Sequence, residues 1–151
     1  RRGEAEGIVR ESQLELDSLA VSVEADAWLR RFSPGGAILR VDLAEGHWLG
    51  AGLGARVPVL VRTDLALLAR RPAESVGRFA GRDSLRLSGL LWPEARQRWA
   101  GSLYLGRERI GDGQVIAFLG NPVYRRTFHG SSRLLANALL LGPGMGTRAR
   151  P

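Results

Sequence analysis

The sequence predicts an α/β domain whose sheet ends in a hairpin and whose chain closes with a helix. Two observations carry this. Gly111-Asp112-Gly113 separates two strand-like runs, residues 102–110 and 114–119 (QVIAFL), and Asp-Gly beside a further glycine is a favoured hairpin turn. Beyond the stop at Gly120-Asn121-Pro122, Leu134, Leu135, Ala138, Leu139 and Leu141 recur at helical spacing, and Gly142-Pro143 ends the run. Ser131 or Ser132 is the expected N-cap of that helix.

Upstream, the elements are shorter. Residues 18–23 alternate partly and suggest a short strand, and 25–32 (ADAWLRRF) fit one or two helical turns. Residues 37–43 (AILRVDL) read as a strand after the turn Ser33-Pro34-Gly35-Gly36. Residues 57–61 (VPVLV) are a second strand candidate, and Pro58, with no N–H to give a ladder, points to a sheet edge or to the first residues of the strand. Residues 63–68 suggest a short helical turn, 70–81 a polar surface segment, and 84–91 an alternating run. Proline at its first turn starts a short helix over 93–99. The domain organisation read from this is a connector or edge segment over 1–23, one α/β domain over 24–142, and a glycine- and arginine-rich tail over 143–151.

Composition narrows function by exclusion. With 44% apolar and 25% charged residues in 151, the chain can bury a core and is not of disordered composition. No apolar run reaches the length of a membrane helix, so no membrane insertion is expected. Residues 1–19 mix acidic and basic side chains without an apolar centre, which is unlike a signal peptide, and the chain is expected to begin inside a longer protein. Cysteine is absent, which removes disulfides, thiolate metal sites and a cysteine nucleophile. The net charge of +7 comes entirely from arginines, set in scattered pairs among acids rather than in one basic patch. Nucleic acid is therefore not the expected partner.

The candidate sites are few. Gly50-Ala51-Gly52-Leu53-Gly54-Ala55 matches G-x-G-x-x-A, but VPVLV follows at once, so no helix N-terminus can meet a pyrophosphate there. His47 and His129 are the only histidines, and neither sits in a metal-ligand spacing. No metal is expected in this segment. The loop 121–130 is the one place where a ligand or partner is expected, through Asn121, Arg125, Arg126 and His129. Its arginines suit a carboxylate or phosphate near a helix start. Cap duty accounts for the serines, and packing accounts for Trp28, Trp48, Trp92 and Trp99.

Residues 111–142 resemble the end of a domain found at the C-terminus of bacterial zinc-carboxypeptidase-like proteins, of the carboxypeptidase A type. The pattern is G-x-G (Gly111, Gly113), V-x-x-F (Val115, Phe118), P-x-[FY]-R (Pro122, Tyr124, Arg125), His129-Gly130, and R-L-L-x-N-A-L (Arg133, Leu134, Leu135, Asn137, Ala138, Leu139). Residues 34–53 and 88–102 resemble earlier segments of the same domain, so the likeness spans about 33–142.

That resemblance implies a class I glutamine-amidotransferase-like fold, a three-layer α/β sandwich with a mixed sheet. The N-terminal strand and helix repeats of such a domain are missing or replaced by residues 1–23, so an incomplete sheet is expected at that end. It implies a non-catalytic accessory role beside an upstream peptidase domain of the same chain, which would carry the zinc and the proteolysis. A secreted or periplasmic location would follow from such a parent. The alternative implied by the amidotransferase-like fold is a small-molecule-binding or hydrolytic domain using the 121–130 loop. The absence of cysteine excludes amidotransferase chemistry itself.

Overall fold

The computed structural model describes residues 23–145. Six strands form one sheet: β1 (Ala37–Leu43), β2 (Arg56–Val61), β3 (Glu74–Phe79), β4 (Arg86–Ser88), β5 (Leu103–Ile110) and β6 (Gly113–Phe118). Their order is β2-β1-β3-β5-β6, with β4 paired to β1 off this path. Three α-helices accompany them: α1 over 23–30, α2 (Pro93–Trp99) and α3 (His129–Leu141). The expected connector 1–23 and tail 143–151 lie outside the described residues except for Val23 and 143–145. The strand expected over 18–23 is outside them but for Val23, which is helical.

The expected hairpin and closing helix are present, but the sheet is not mixed. Every strand pairing among the described residues is antiparallel. The connections explain this. Parallel neighbours need a long crossover, usually a helix, whereas β5 and β6 are joined by the two-residue turn Gly111–Asp112, with Ile110 opposite Gly113. Helix α2 does lie between two strands, but β4 and β5 are not neighbours in the sheet.

The core follows from period-two alternation. Ala37, Leu39 and Val41 of β1 lie opposite Val61, Val59 and Val57 of β2, and all six are buried. Pro58 faces Arg40 in the register of the edge strand β2, where its missing N–H costs no ladder bond. Across β3 and β5 the core continues as a chain of edge-to-face rings. Phe79 meets Trp99 at 5.4 Å and Tyr104 at 5.8 Å, and Tyr104 meets Phe118 at 6.4 Å. Trp99 is fully buried and its Nε1 donates to the Phe32 carbonyl at 3.1 Å, which ties the segment after α1 to the end of α2.

Two stretches differ from the sequence reading. Residues 70–81 are not a polar surface segment: they contain β3, an internal strand with β1 on one side and β5 on the other. Its string ESVGRF holds only two apolar side chains, Val76 and Phe79, around Gly77. That glycine is where the neighbouring strands close in. A Cβ there would lie 3.0 Å from Val41 Cγ1 and 3.3 Å from Leu105 Cβ, so the side chains of β1 and β5 fill the space. Residues 63–68 form no helical turn; Leu67 instead makes an isolated bridge to Leu103.

Helix α3 packs on β2 and on the 3-10 turn Trp48–Gly50. Leu134 is fully buried in the core, and the Asn137 amide donates to the carbonyls of Leu49 (2.8 Å) and Ala51 (2.9 Å). At Gly130 the helix approaches β2 so closely that a Cβ would collide with Val57. The apolar spacing of α3 suggests packing on Val115, Ala117 or their sheet neighbours; the neighbours Ile116 and Phe118 pack against the core that holds Leu134, whereas Val115 and Ala117 do not. Those two residues are exposed, because Phe118, Ile116 and Gln114 share the face of Leu105 and Arg107. Ser131 and Ser132 are not caps either: the cap residue is Phe128, and Ser131 Oγ donates to the Pro122 carbonyl at 2.6 Å.

The helix reaches both ends of the sheet. It lies against β2 at one edge, and Gln114 of β6, the other edge, donates to the carbonyls of Gly142 (2.7 Å) and Met145 (2.8 Å) just past its C-terminus. The antiparallel sheet therefore curls around α3. No helix among the described residues is long and apolar enough to cross a membrane.

Candidate functional site

Among the described residues, two of the hollows join polar side chains from the loops flanking β2. The larger, about 620 Å³, is walled by the segment 43–55 that links β1 to β2. His47 sits at its rim and caps the following 3-10 turn, with Nδ1 accepting the Leu49 N–H at 3.1 Å. Its neutral form therefore carries the proton on Nε2, which faces Glu74 Oε2 at 3.8 Å. Glu74 also accepts from Arg107 NH1 at 2.9 Å, and Arg107 Nε donates to Gln114 Oε1. Loop, β3, β5 and β6 thus meet in one polar chain that ends on the C-terminus of α3.

The electrostatics of that chain are structural. Burial lowers the pKa of His47 from 6.5; the Glu74 carboxylate pulls it back up, and Arg107 lowers it further. The one acceptor nitrogen of His47 is occupied by a backbone N–H, so its imidazole does not stand ready as a general base. Tyr104, buried beneath α3, has its phenol pushed up to about 12 by desolvation, against a weaker lowering by its hydrogen bond with Ser131. It is neutral at any physiological pH.

The second hollow, about 340 Å³, lies between the end of β2 and the loop that leads to α3. It is lined by Leu60, Arg62, Thr63, Gly120, Asn121 and Tyr124. Arg62 NH1 donates to Tyr124 Oη at 3.1 Å, and its guanidinium lies 5.5 Å from the centre of the Tyr124 ring. Arg125 stacks on the same ring at 5.3 Å. The loop holds these groups in an unusual backbone: Arg125 and Arg126 both take positive φ, 49° and 54°. Two successive arginines in the left-handed region cost about 1–3 kcal/mol each, and such residues gather at ligand clamps and switch regions.

The four residues singled out in the 121–130 loop are thus separated by the fold. Asn121 lines the cleft and Arg125 stacks on its Tyr124 wall. Arg126 and His129 are exposed and are not among the lining residues. Sequence reasoning missed Arg62 and Thr63, which lie more than fifty residues upstream and carry no local motif. The only signal was a tyrosine next to two arginines, and nothing in one sequence shows which distant strand end will face it. Among the described residues no group of three or more His, Asp or Glu side chains is placed to hold a metal ion.

The G-x-G-x-x-A string runs from the 3-10 turn into β2 with no helix between, as a glycine-rich link between strands. Comparison with protein-family models, with curated proteins and with solved structures finds no match to this chain.

Proposed function

We propose that this chain is a non-catalytic accessory domain of a zinc-metallocarboxypeptidase-like protein, placed after a peptidase domain that carries the zinc and the proteolysis. The observation that supports this reading is the use to which the resembling residues are put. Asn137 is buried and spends its amide on the carbonyls of Leu49 and Ala51; Leu134 fills the core; Gly130 lets α3 close on Val57; Pro122 receives Ser131. These members of the pattern by which the chain resembles that domain thus serve packing and hydrogen bonding.

In this reading the curled sheet and α3 are the closing part of a glutamine-amidotransferase-like sandwich. Any parallel strands of such a sandwich would have to come from outside residues 23–145. The domain's contribution is to stabilise the peptidase domain or to shape access to it.

The coding sequence upstream of Arg1 offers a direct test. A zinc-binding HxxE pair followed by a distant histidine is expected there. Deleting the segment from the full protein should leave the zinc content unchanged and lower the thermal stability or the activity on large substrates. An upstream frame without that motif, or a start codon at Arg1, overturns the proposal.

A further inference from the structure

The side chains around Tyr124 have their acceptor atoms occupied and their donor atoms left over. Tyr124 Oη accepts from Arg62, so its own hydrogen remains available. Asn121 Oδ1 accepts the Val123 N–H at 2.9 Å, which leaves the Nδ2 amide free to donate. Thr63 Oγ1 accepts the Leu65 N–H at 3.1 Å, which leaves its hydroxyl hydrogen. Arg62 commits one nitrogen to Tyr124 and keeps Nε and NH2. All four residues line the same cleft of about 340 Å³, and no acidic residue among the described ones lines it.

Charge points the same way. Among the described residues neither Arg62 nor Arg125 makes an ion pair, although both stack on one ring. Asp64, beside Thr63, is exposed and pairs with neither. The Arg62 guanidinium beside free donors in the cleft, with Arg125 stacked on the same ring and no acidic partner among the described residues, suits an anion.

We propose that this cleft binds a small organic carboxylate. Arg62 is its charge partner, Asn121 and Thr63 orient it, and Tyr124 is the platform. A single lining arginine matches a monoanion held by the guanidinium fork, whereas a phosphate dianion calls for more positive charge at the contact. Leu60 adds an apolar wall for the organic part. The site goes beyond the accessory role and does not depend on it, since the cleft stands whether or not a peptidase domain precedes this one.

The test is a titration of the isotope-labelled 151-residue chain, followed by backbone amide shifts, with three probes: N-acetylalanine, its neutral primary amide, and inorganic phosphate. N-acetylalanine should give saturable shifts at Thr63, Asn121 and Tyr124; the amide should give none; phosphate should bind more weakly. Arg62→Gln should weaken N-acetylalanine binding by roughly tenfold or more, the loss expected for a charge-assisted hydrogen bond. Asn121→Asp keeps the acceptor for Val123 while placing a repelling carboxylate in the cleft, so it should abolish binding and leave the melting temperature unchanged. The proposal is overturned by an absence of saturable shifts with N-acetylalanine, by equal binding of the amide, or by unchanged affinity in Arg62→Gln. Tighter binding of phosphate would overturn the assignment to carboxylates.

Discussion

At the scale of single residues, His47 carries the clearest consequence. Its Nδ1 must stay unprotonated to accept from Leu49, and burial lowers its pKa from 6.5. The unfolded chain therefore binds a proton at this histidine more readily than the folded one. Stability attributable to His47 is complete above about pH 6.5 and falls as pH drops through the lowered folded value. His47→Asn keeps a cap oxygen for the turn without a titrating ring. Urea midpoints taken from pH 7.5 down to 5 should decline less steeply in this variant than in the parent; equal slopes would show that His47 does not govern the acid limb. None of this was legible in the sequence. Glu45-Gly46-His47 carries no metal-ligand spacing, and Glu74, Arg107 and Gln114 join it only through the pairings of β3, β5 and β6.

At the scale of elements, the terminal hairpin and α3 were the most legible parts, because their signals are local: a glycine-bounded turn, an apolar run and a helical spacing closed by Gly-Pro. The face of α3 was less so. Leu134, Leu135, Ala138 and Leu139 all fit one helical stripe, yet Leu134 is fully buried and Leu139 is 67% exposed. The helix lies over the edge strand β2 and the 3-10 turn, where Asn137 must also point inward, and this rotates Leu139 out. Leu134→Ala should cost about 2–5 kcal/mol by opening a core cavity, whereas Leu139→Ala should stay within about 0.5 kcal/mol. Chemical denaturation of the two variants checks this, and similar losses at both positions would contradict the observed docking. Strand β3 escaped the reading for the opposite reason. Glu-Ser-Val-Gly-Arg-Phe has little strand character of its own, and its place between β1 and β5 is a property of the neighbours that crowd onto Gly77.

At the scale of the whole molecule, composition foretold a single packed core without disulfides, and the buried residues of β1, β2, β3, α2, β5 and α3 do join in one cluster. The antiparallel character of the sheet was not legible, since short strands separated by loops and short helices fit either direction until their pairings are known. The carboxylate cleft belongs to this scale as well, being assembled from the end of β2 and a loop some sixty residues later. The proposal that the chain is a non-catalytic companion to a zinc peptidase is tested most directly by one measurement on the purified, dialysed 151-residue polypeptide: its zinc content, read together with its release of the C-terminal residue from a peptide substrate. A catalytic zinc needs about three protein ligands and an open position. The expected result is zinc well below one per chain and no release above background. One zinc per chain, with release of the terminal residue that a chelator abolishes, would contradict the account.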